Sequence, residues 1–366
     1  EPSAKSMGIA PHMDWRWDII PSLTLVAGLE AEFRELSLLS EQDNQADPNN
    51  PTQFFLTEAT QGLHKEAGSW LSLTYKPTRD WLITPGVRVD VYSNEELSHW
   101  AVQPRLQIKG RLYKDENQSL WLKVASGIYQ QPPRPYLMLP GLNVTALDLG
   151  LLKSYQNMVG AEWQLNSEWS LDVQAYYNHL DPTLFELNLS ENQEEQTEQN
   201  PYEPPPDPNE PEWLTGVSYN SMGRAYGLEV MIRKEGNGQF FGWLSYALSR
   251  SERLRGEDYI AYDFDRTHIL NLVTGVRLSG NWEIGSRLVL QTGTPLTTDN
   301  GGVASGRSEA NWRIDLRIDK RIVFNEWLLD FYVEILNVAV NRESGGLLSE
   351  NGFRYVLPTL GIKANL

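Results

Sequence analysis

Apolar and polar residues alternate in twos along nearly the whole chain. Leu23, Leu25, Ala27, Leu29, Ala31 and Phe33 fall on one side of a run, with Thr24, Gly28, Glu30, Glu32 and Arg34 on the other. Trp312, Ile314, Leu316, Ile318 and Ile322 alternate with Arg313, Asp315, Arg317, Asp319 and Arg321. Successive side chains of a strand point to opposite faces, so each run predicts a strand with one apolar face. No segment carries a 3.6-residue stripe over three turns. The runs are long, many of them about 12 to 20 residues, whereas strands of soluble proteins average about five or six. A tilted strand that crosses a bilayer needs about 9–11 residues.

Fifteen such runs are predicted, at 9–19, 22–38, 67–76, 80–93, 99–113, 119–130, 154–166, 169–189, 213–234, 239–253, 264–279, 281–294, 311–324, 327–340 and 352–366. The connections alternate in length as well. Short turns lie at Ile20-Pro21, Lys76–Asp80, Lys114–Gln118, Asn166–Glu168, Glu235–Gly238, Gly280 and Asn325-Glu326. Long loops lie at Ser40–Glu66, Gln131–Lys153, Ser190–Trp213, Leu254–Asp263, Pro295–Ala310 and Asn341–Asn351, with Asn94–Ser98 a shorter member of that set. Short turns on one side and long loops on the other are the asymmetry of an outer-membrane barrel, with periplasmic turns and extracellular loops. The expected fold is therefore all-β: an antiparallel transmembrane barrel of the bacterial outer membrane, with about 14–16 strands in this chain. Single-chain bacterial barrels use even strand numbers, which leaves two readings open. Either residues 22–366 form the barrel and 1–21 an N-terminal periplasmic or lumenal segment, or Met13–Ile19 is a first strand and further strands precede Glu1.

Composition fits this reading. The 366 residues carry 31 Lys+Arg against 48 Asp+Glu, a net charge of -17, which argues against nucleic acid as a partner. There is no cysteine, hence no disulfide framework and no thiolate metal site. No apolar run is long enough for a transmembrane helix. Mean hydropathy is -0.44, as a chain with one polar face per strand can have while its other face meets lipid. Thirteen Trp and sixteen Tyr suit the aromatic girdles of such barrels. Glu191 to Glu212 holds eight Asp/Glu, six Pro and no Lys or Arg, and reads as a solvated loop rather than a Ca²⁺ site. No cofactor or metal motif is present.

Several stretches resemble the C-terminal barrel half of TonB-dependent receptors. They are Pro85-Gly86-Val87-Arg88-Val89-Asp90, then Gln103-Pro104-Arg105-Leu106, then Gly127-Ile128-Tyr129-Gln130-Gln131-Pro132-Pro133. Tyr262 through Leu270, Arg313 through Lys320, Glu334 through Val338 and Leu357 through Leu366 follow in the family's order. The family closes on an aromatic residue where this chain has Leu366. Its barrels have about 22 strands around a plug, of which this chain supplies about two thirds and no plug or TonB-box peptide. The resemblance implies an outer-membrane transport barrel that binds or passes a small nutrient. Its partners would be outer-membrane lipid, an unidentified small ligand, and a plug domain, further strands or a partner protein from outside this chain. A second expectation is a non-transporting scaffold that anchors a protein partner in the envelope.

If the apolar faces meet lipid, the polar faces line the lumen. The candidate path residues are Arg88, Arg105, Lys109, Arg111, Lys123, Glu229, Arg233, Arg287, Arg313, Asp315, Arg317, Asp319 and Arg321. Arg105, Lys109, Arg111 and Lys123 form a basic stripe on two neighbouring strands, either a guide for anions or a wet wall that holds the barrel's shape. Asp263, Asp265 and His268 come together at the expected outer mouth, but without a serine or second carboxylate pair they do not make an enzyme.

Overall fold

The structure is a computed structural model, and it describes residues 3–39, 62–94, 97–133, 147, 150–183, 221–236, 238–255, 257–296, 306–324, 327–340 and 356–365. The acidic stretch Glu191–Glu212, Leu366 and most of the long expected loops lie outside the described residues. All described strands join in one antiparallel sheet of seventeen segments.

The first two segments, β1 (Ser3–Ile9) and β2 (His12–Ile20), both pair with β3 (Leu23–Leu39). Ile9 faces Phe33 and His12 faces Glu30, so the register runs through the break unchanged. The break falls at Ala10-Pro11. Proline has no N–H for the ladder, although its carbonyl still accepts from Ala31 N at 3.0 Å. The sheet then runs in chain order through β4 (Gly62–Tyr75), β5 (Trp81–Ser93), β6 (Ser98–Lys114), β7 (Ser119–Gln131), β8 (Leu152–Gln164), β9 (Trp169–Thr183), β10 (Ser221–Lys234) and β11 (Phe240–Arg255). Next, β12 (Asp258–Ala261) and β13 (His268–Leu278) share β11 as partner. They are one strand interrupted by a bulge over Tyr262–Thr267; the sequence instead predicts a loop over Leu254–Asp263 and a strand from 264, whereas 258–261 already pairs with β11 and the ladder resumes only at His268. The last segments are β14 (Trp282–Gln291), β15 (Asn311–Val323), β16 (Leu328–Leu336) and β17 (Leu357–Asn365). Counting each interrupted strand once, fifteen strands stand side by side. Among the described residues no ladder joins β17 to β1 or β2, so the sheet is not closed.

The short turns are held by local bonds. Asp115 caps the β6–β7 turn, its Oδ1 accepting from Asn117 N at 2.8 Å and Gln118 N at 2.7 Å. These donors, with the Tyr113 hydroxyl, hold its carboxyl below the usual carboxylate range. Asn166 does the same for the β8–β9 turn, accepting from Glu168 N and Trp169 N at 2.9 Å. Between β13 and β14, Gly280 and Asn281 have φ of 72° and 59°. This left-handed pair gives the tight hairpin that glycine and asparagine allow.

Where the apolar side chains go separates this chain from a soluble sandwich. Among the described residues, prolines and glycines aside, only Ala101 and Leu147 are buried apolar residues. Leu360 is 78 % exposed, Trp100 and Ile362 68 % each. One face of the sheet therefore presents its large apolar groups outward, and aromatics border it. On β9, Trp169 and Tyr177 are eight residues apart with Leu171, Val173 and Ala175 between them on the same face. On β8, Trp163 and Tyr155 repeat the spacing. Eight residues span about 26 Å of strand, or roughly 20 Å of height at a tilt of about 40°, close to the apolar band of a membrane barrel.

Candidate functional site

The opposite face is polar. Residues paired across an antiparallel ladder share a face, and the register carries one face from strand to strand. Arg88 pairs with Gln103, Lys109 with Lys123, and Lys123 with Gly160. Gly160 pairs with Gln174, Gln174 with Glu229, and Glu229 with Ala247. Ala247 leads through Ile269 and Gln291 to β14, where Arg287 faces Asp315. All thirteen charged residues singled out in the sequence thus stand on one face, Arg233 through its place four residues after Glu229.

Three charge clusters occupy that face. In the first, Arg88 Nε donates to Asp90 Oδ2 at 2.9 Å, and its Nη2 bonds Glu30 on β3. Asp90 is buried and also accepts from Gln103. Beneath Arg88 lies Trp70, with the guanidinium 5.4 Å from the ring centroid. Trp70 in turn lies on Gly28, its partner in the ladder, where a Cβ would come within 2.0 Å of the indole. Glycine is required here because the ring lies flat on the neighbouring backbone. The same stack of glycine, aromatic ring and arginine recurs as Gly275, Phe241 and Arg277 and as Gly361, Tyr332 and Arg317.

The second cluster contains the basic stripe, and the structure gives it counter-charges. Lys109 and Lys123 face each other directly. Like charges so placed repel, but Lys109 Nζ reaches Glu162 on β8 at 2.7 Å and Lys123 Nζ reaches Asp172 on β9 at 2.7 Å. Arg111 Nε donates to Asp80 at 2.6 Å, and both Arg111 and Lys109 lie over the Trp121 ring. Only Arg105 of the stripe has no ion pair among the described residues. Its guanidinium lies over Tyr129 at 4.6 Å and its Nε is buried without a partner. Further along the sheet, Glu229 accepts from Gln174, and Arg233 pairs with Glu235 at 3.1 Å.

The third cluster is a ladder of alternating charge on β15 and β16. Arg313 pairs with Asp315 at 3.1 Å, Arg317 with Asp319 at 2.7 Å, and Arg321 with Asp330 at 2.8 Å. Asp315 is buried and accepts from Asn337 N at 2.9 Å, fixing the end of β16.

Two of the trio at the loop end, Asp265 and His268, are engaged elsewhere. Asp265 is 1 % exposed and accepts from Ser251 N at 2.6 Å. It also pairs with Arg307, and with Arg250 at 3.5 Å. Arg307 Nη1 further donates to the Asp265 and Gly293 carbonyls, each at 3.0 Å. His268 Nδ1 instead meets the Tyr246 hydroxyl at 2.8 Å on the apolar face. Sequence reasoning missed the counter-ions Asp80, Glu162 and Asp172. Carboxylates at face-matched positions on the next strands were the available signal.

The sheet is similar to solved outer-membrane transporters. The FrpB iron transporter from Neisseria meningitidis matches with a TM-score of 0.68 at 10% identity, over 98% of this chain and 55% of that one. The ferric-catecholate import receptor Fiu from E. coli K12 gives 0.61 at 14% identity, over 99% and 54%. The copper transporter OprC gives 0.62 at 13% identity, over 99% and 56%. The chain thus spans about half the length of these relatives. No curated protein matches it. The family model described as TonB dependent receptor-like, beta-barrel, covers residues 7–338, and the chain belongs to that family.

Proposed function

We propose that this chain is wall of an outer-membrane receptor that binds a small solute at its loop end and admits it along the polar face. The observation that carries the reading is the division of the sheet. One face is apolar and bordered by aromatics, as lipid requires, and the other carries the thirteen charged residues, ten of them in the three clusters described above. The cargo we favour is a metal ion or metal complex. In support, similar structures are named as an iron transporter, a copper transporter and a ferric yersiniabactin uptake receptor.

The test is accumulation of labelled iron and copper by cells carrying the gene, against cells carrying an empty vector. Accumulation above the vector for one metal is expected. Equal accumulation for both, with the protein present in the outer membrane, would sink the transport reading.

A further inference from the structure

Burying a charge is costly unless it is paired, so the buried ionisable groups repay comparison. Among the described residues Asp90, Glu252, Asp265 and Asp315 are the buried acids. Each has an arginine partner: Arg88, Arg224, Arg307 and Arg313. Among the described residues Arg253 is the one buried base, 8 % exposed, and no described carboxylate lies within ion-pair distance of it, Asp263 acting on it only from farther off. Its Nη1 donates to the Glu252 carbonyl at 3.1 Å. Its Nε is buried and has no partner.

The position of this guanidinium is built by its neighbours. Arg253 pairs with Gly223 across the β10–β11 ladder, which puts it on the polar face with Glu229, at the loop end of both strands. A Cβ on Gly223 would come within 3.0 Å of both Cδ and Nη1 of Arg253. The glycine therefore leaves room for the arginine to extend across β10. From the other side the Tyr262 ring, in the β12–β13 bulge, lies 4.0 Å from Cζ. Stacking and one hydrogen bond through Nη1 position the side chain, and among the described residues its Nε–Nη2 edge has no hydrogen-bond partner. That planar edge is the one that carboxylates and phosphates engage with two parallel hydrogen bonds.

We propose that Arg253, stacked on Tyr262, is an oxyanion-binding subsite at the loop end of the polar face, taking a carboxylate or phosphate group of a small solute. The proposal rests on the transport reading for the origin of its ligand, and it narrows that ligand to an anion-bearing one. The stacking partner explains how a lone arginine can hold its plane before the ligand arrives, which lowers the cost of ordering it on binding.

The test is isothermal titration of the purified full chain in detergent with inorganic phosphate and, separately, succinate. Saturable binding of at least one probe is expected. Arg253→Gln should weaken it at least tenfold, and Arg253→Lys, which keeps the charge without the planar edge, should weaken it less. Gly223→Ala, which crowds the guanidinium from across the ladder, should also weaken it and serves if Arg253→Gln does not fold. Equal binding by wild type and the folded variants, or no saturable binding of either probe, overturns the proposal. Cells that accumulate no metal while the protein still binds a probe through Arg253 would overturn the transport reading alone. Accumulation with no role for Arg253 in binding would overturn this proposal alone.

Discussion

Gly28→Ala tests the packing of the polar face more sharply than removing a charge would. The new methyl would meet three indole atoms of Trp70, at 2.0, 2.3 and 2.7 Å. Trp70 must lift, but Arg88 lies above it and is tied to Glu30 and Asp90. Overpacking of this kind costs about 1–3 kcal/mol, and the disturbed cation–π contact about 0.5–1 kcal/mol. Against this, alanine is favoured over glycine in a strand by about 0.5–1 kcal/mol. The expected net loss is therefore about 1–3 kcal/mol, combining those terms. In a Trp70→Ala background the collision is gone and only the backbone term remains. There Gly28→Ala should stabilise by about 0.5–1 kcal/mol. The assay is urea unfolding of the four proteins, folded into lipid vesicles and followed by tryptophan fluorescence. The sign of the Gly28→Ala effect should reverse between backgrounds. If alanine costs the same in both, the stack of glycine, ring and arginine is not what fixes this position.

Three further outcomes are expected. Asp172→Asn leaves Lys123 facing Lys109 without its counter-ion and should cost about 1 kcal/mol, since the pair is only partly buried; adding Lys123→Met should recover most of it in the same unfolding assay. Asp265→Ala strips a buried carboxylate from Arg307, Arg250 and Ser251 N, so a loss of about 3–5 kcal/mol is expected, with new tryptic cleavage at Arg266 or Arg307. Unchanged cleavage and stability would show that Asp265 does not tie the bulge to the foot of the β14–β15 loop. Asp115 has a folded-state pKa below its unfolded value, so its stabilisation is present above the unfolded value and fades as pH falls through the folded one. Wild type should therefore be more stable than Asp115→Ala at pH 7, and the gap should start to narrow as pH falls below about 4 and shrink further as it falls through the folded value; a gap that does not narrow with acidification would refute the charged cap.

The strands and the membership of each face were legible in the sequence because alternation is a local property. Arg313 through Arg321 state it within nine residues, and their strand and face follow at once. What escaped depends on pairing between distant segments. Glu162 and Asp172 matter only because β8 and β9 bring them beside Lys109 and Lys123, and no local pattern announces that. The bulge over Tyr262–Thr267 escaped for a related reason. Phe264 and Arg266 continue the expected alternation, yet Asp265 is drawn inward by Arg307, which comes from more than forty residues away. Arg253 sits in the polar run Ser249–Arg255, which looks like the solvated end of a strand. Its burial depends on Gly223, thirty residues away on β10, and on Tyr262, in the bulge beyond the next segment. Pro11 was visible, but that the register resumes unchanged beyond it was not.

Apart from prolines and glycines, only Ala101 and Leu147 are buried apolar residues among those described, and this alters what the stability of the chain means. A soluble domain carries its oil inside, so its folding free energy is nearly a property of the polypeptide. Here the oil is the bilayer. The transfer energy of Trp100, Leu360 and Ile362 is realised only when hydrocarbon surrounds them. Changing acyl-chain length should then move the unfolding midpoint as strongly as a mutation does, through the mismatch between belt spacing and membrane thickness. The lipid is in effect the second half of the core, and the thickness of the membrane is part of what this sequence encodes.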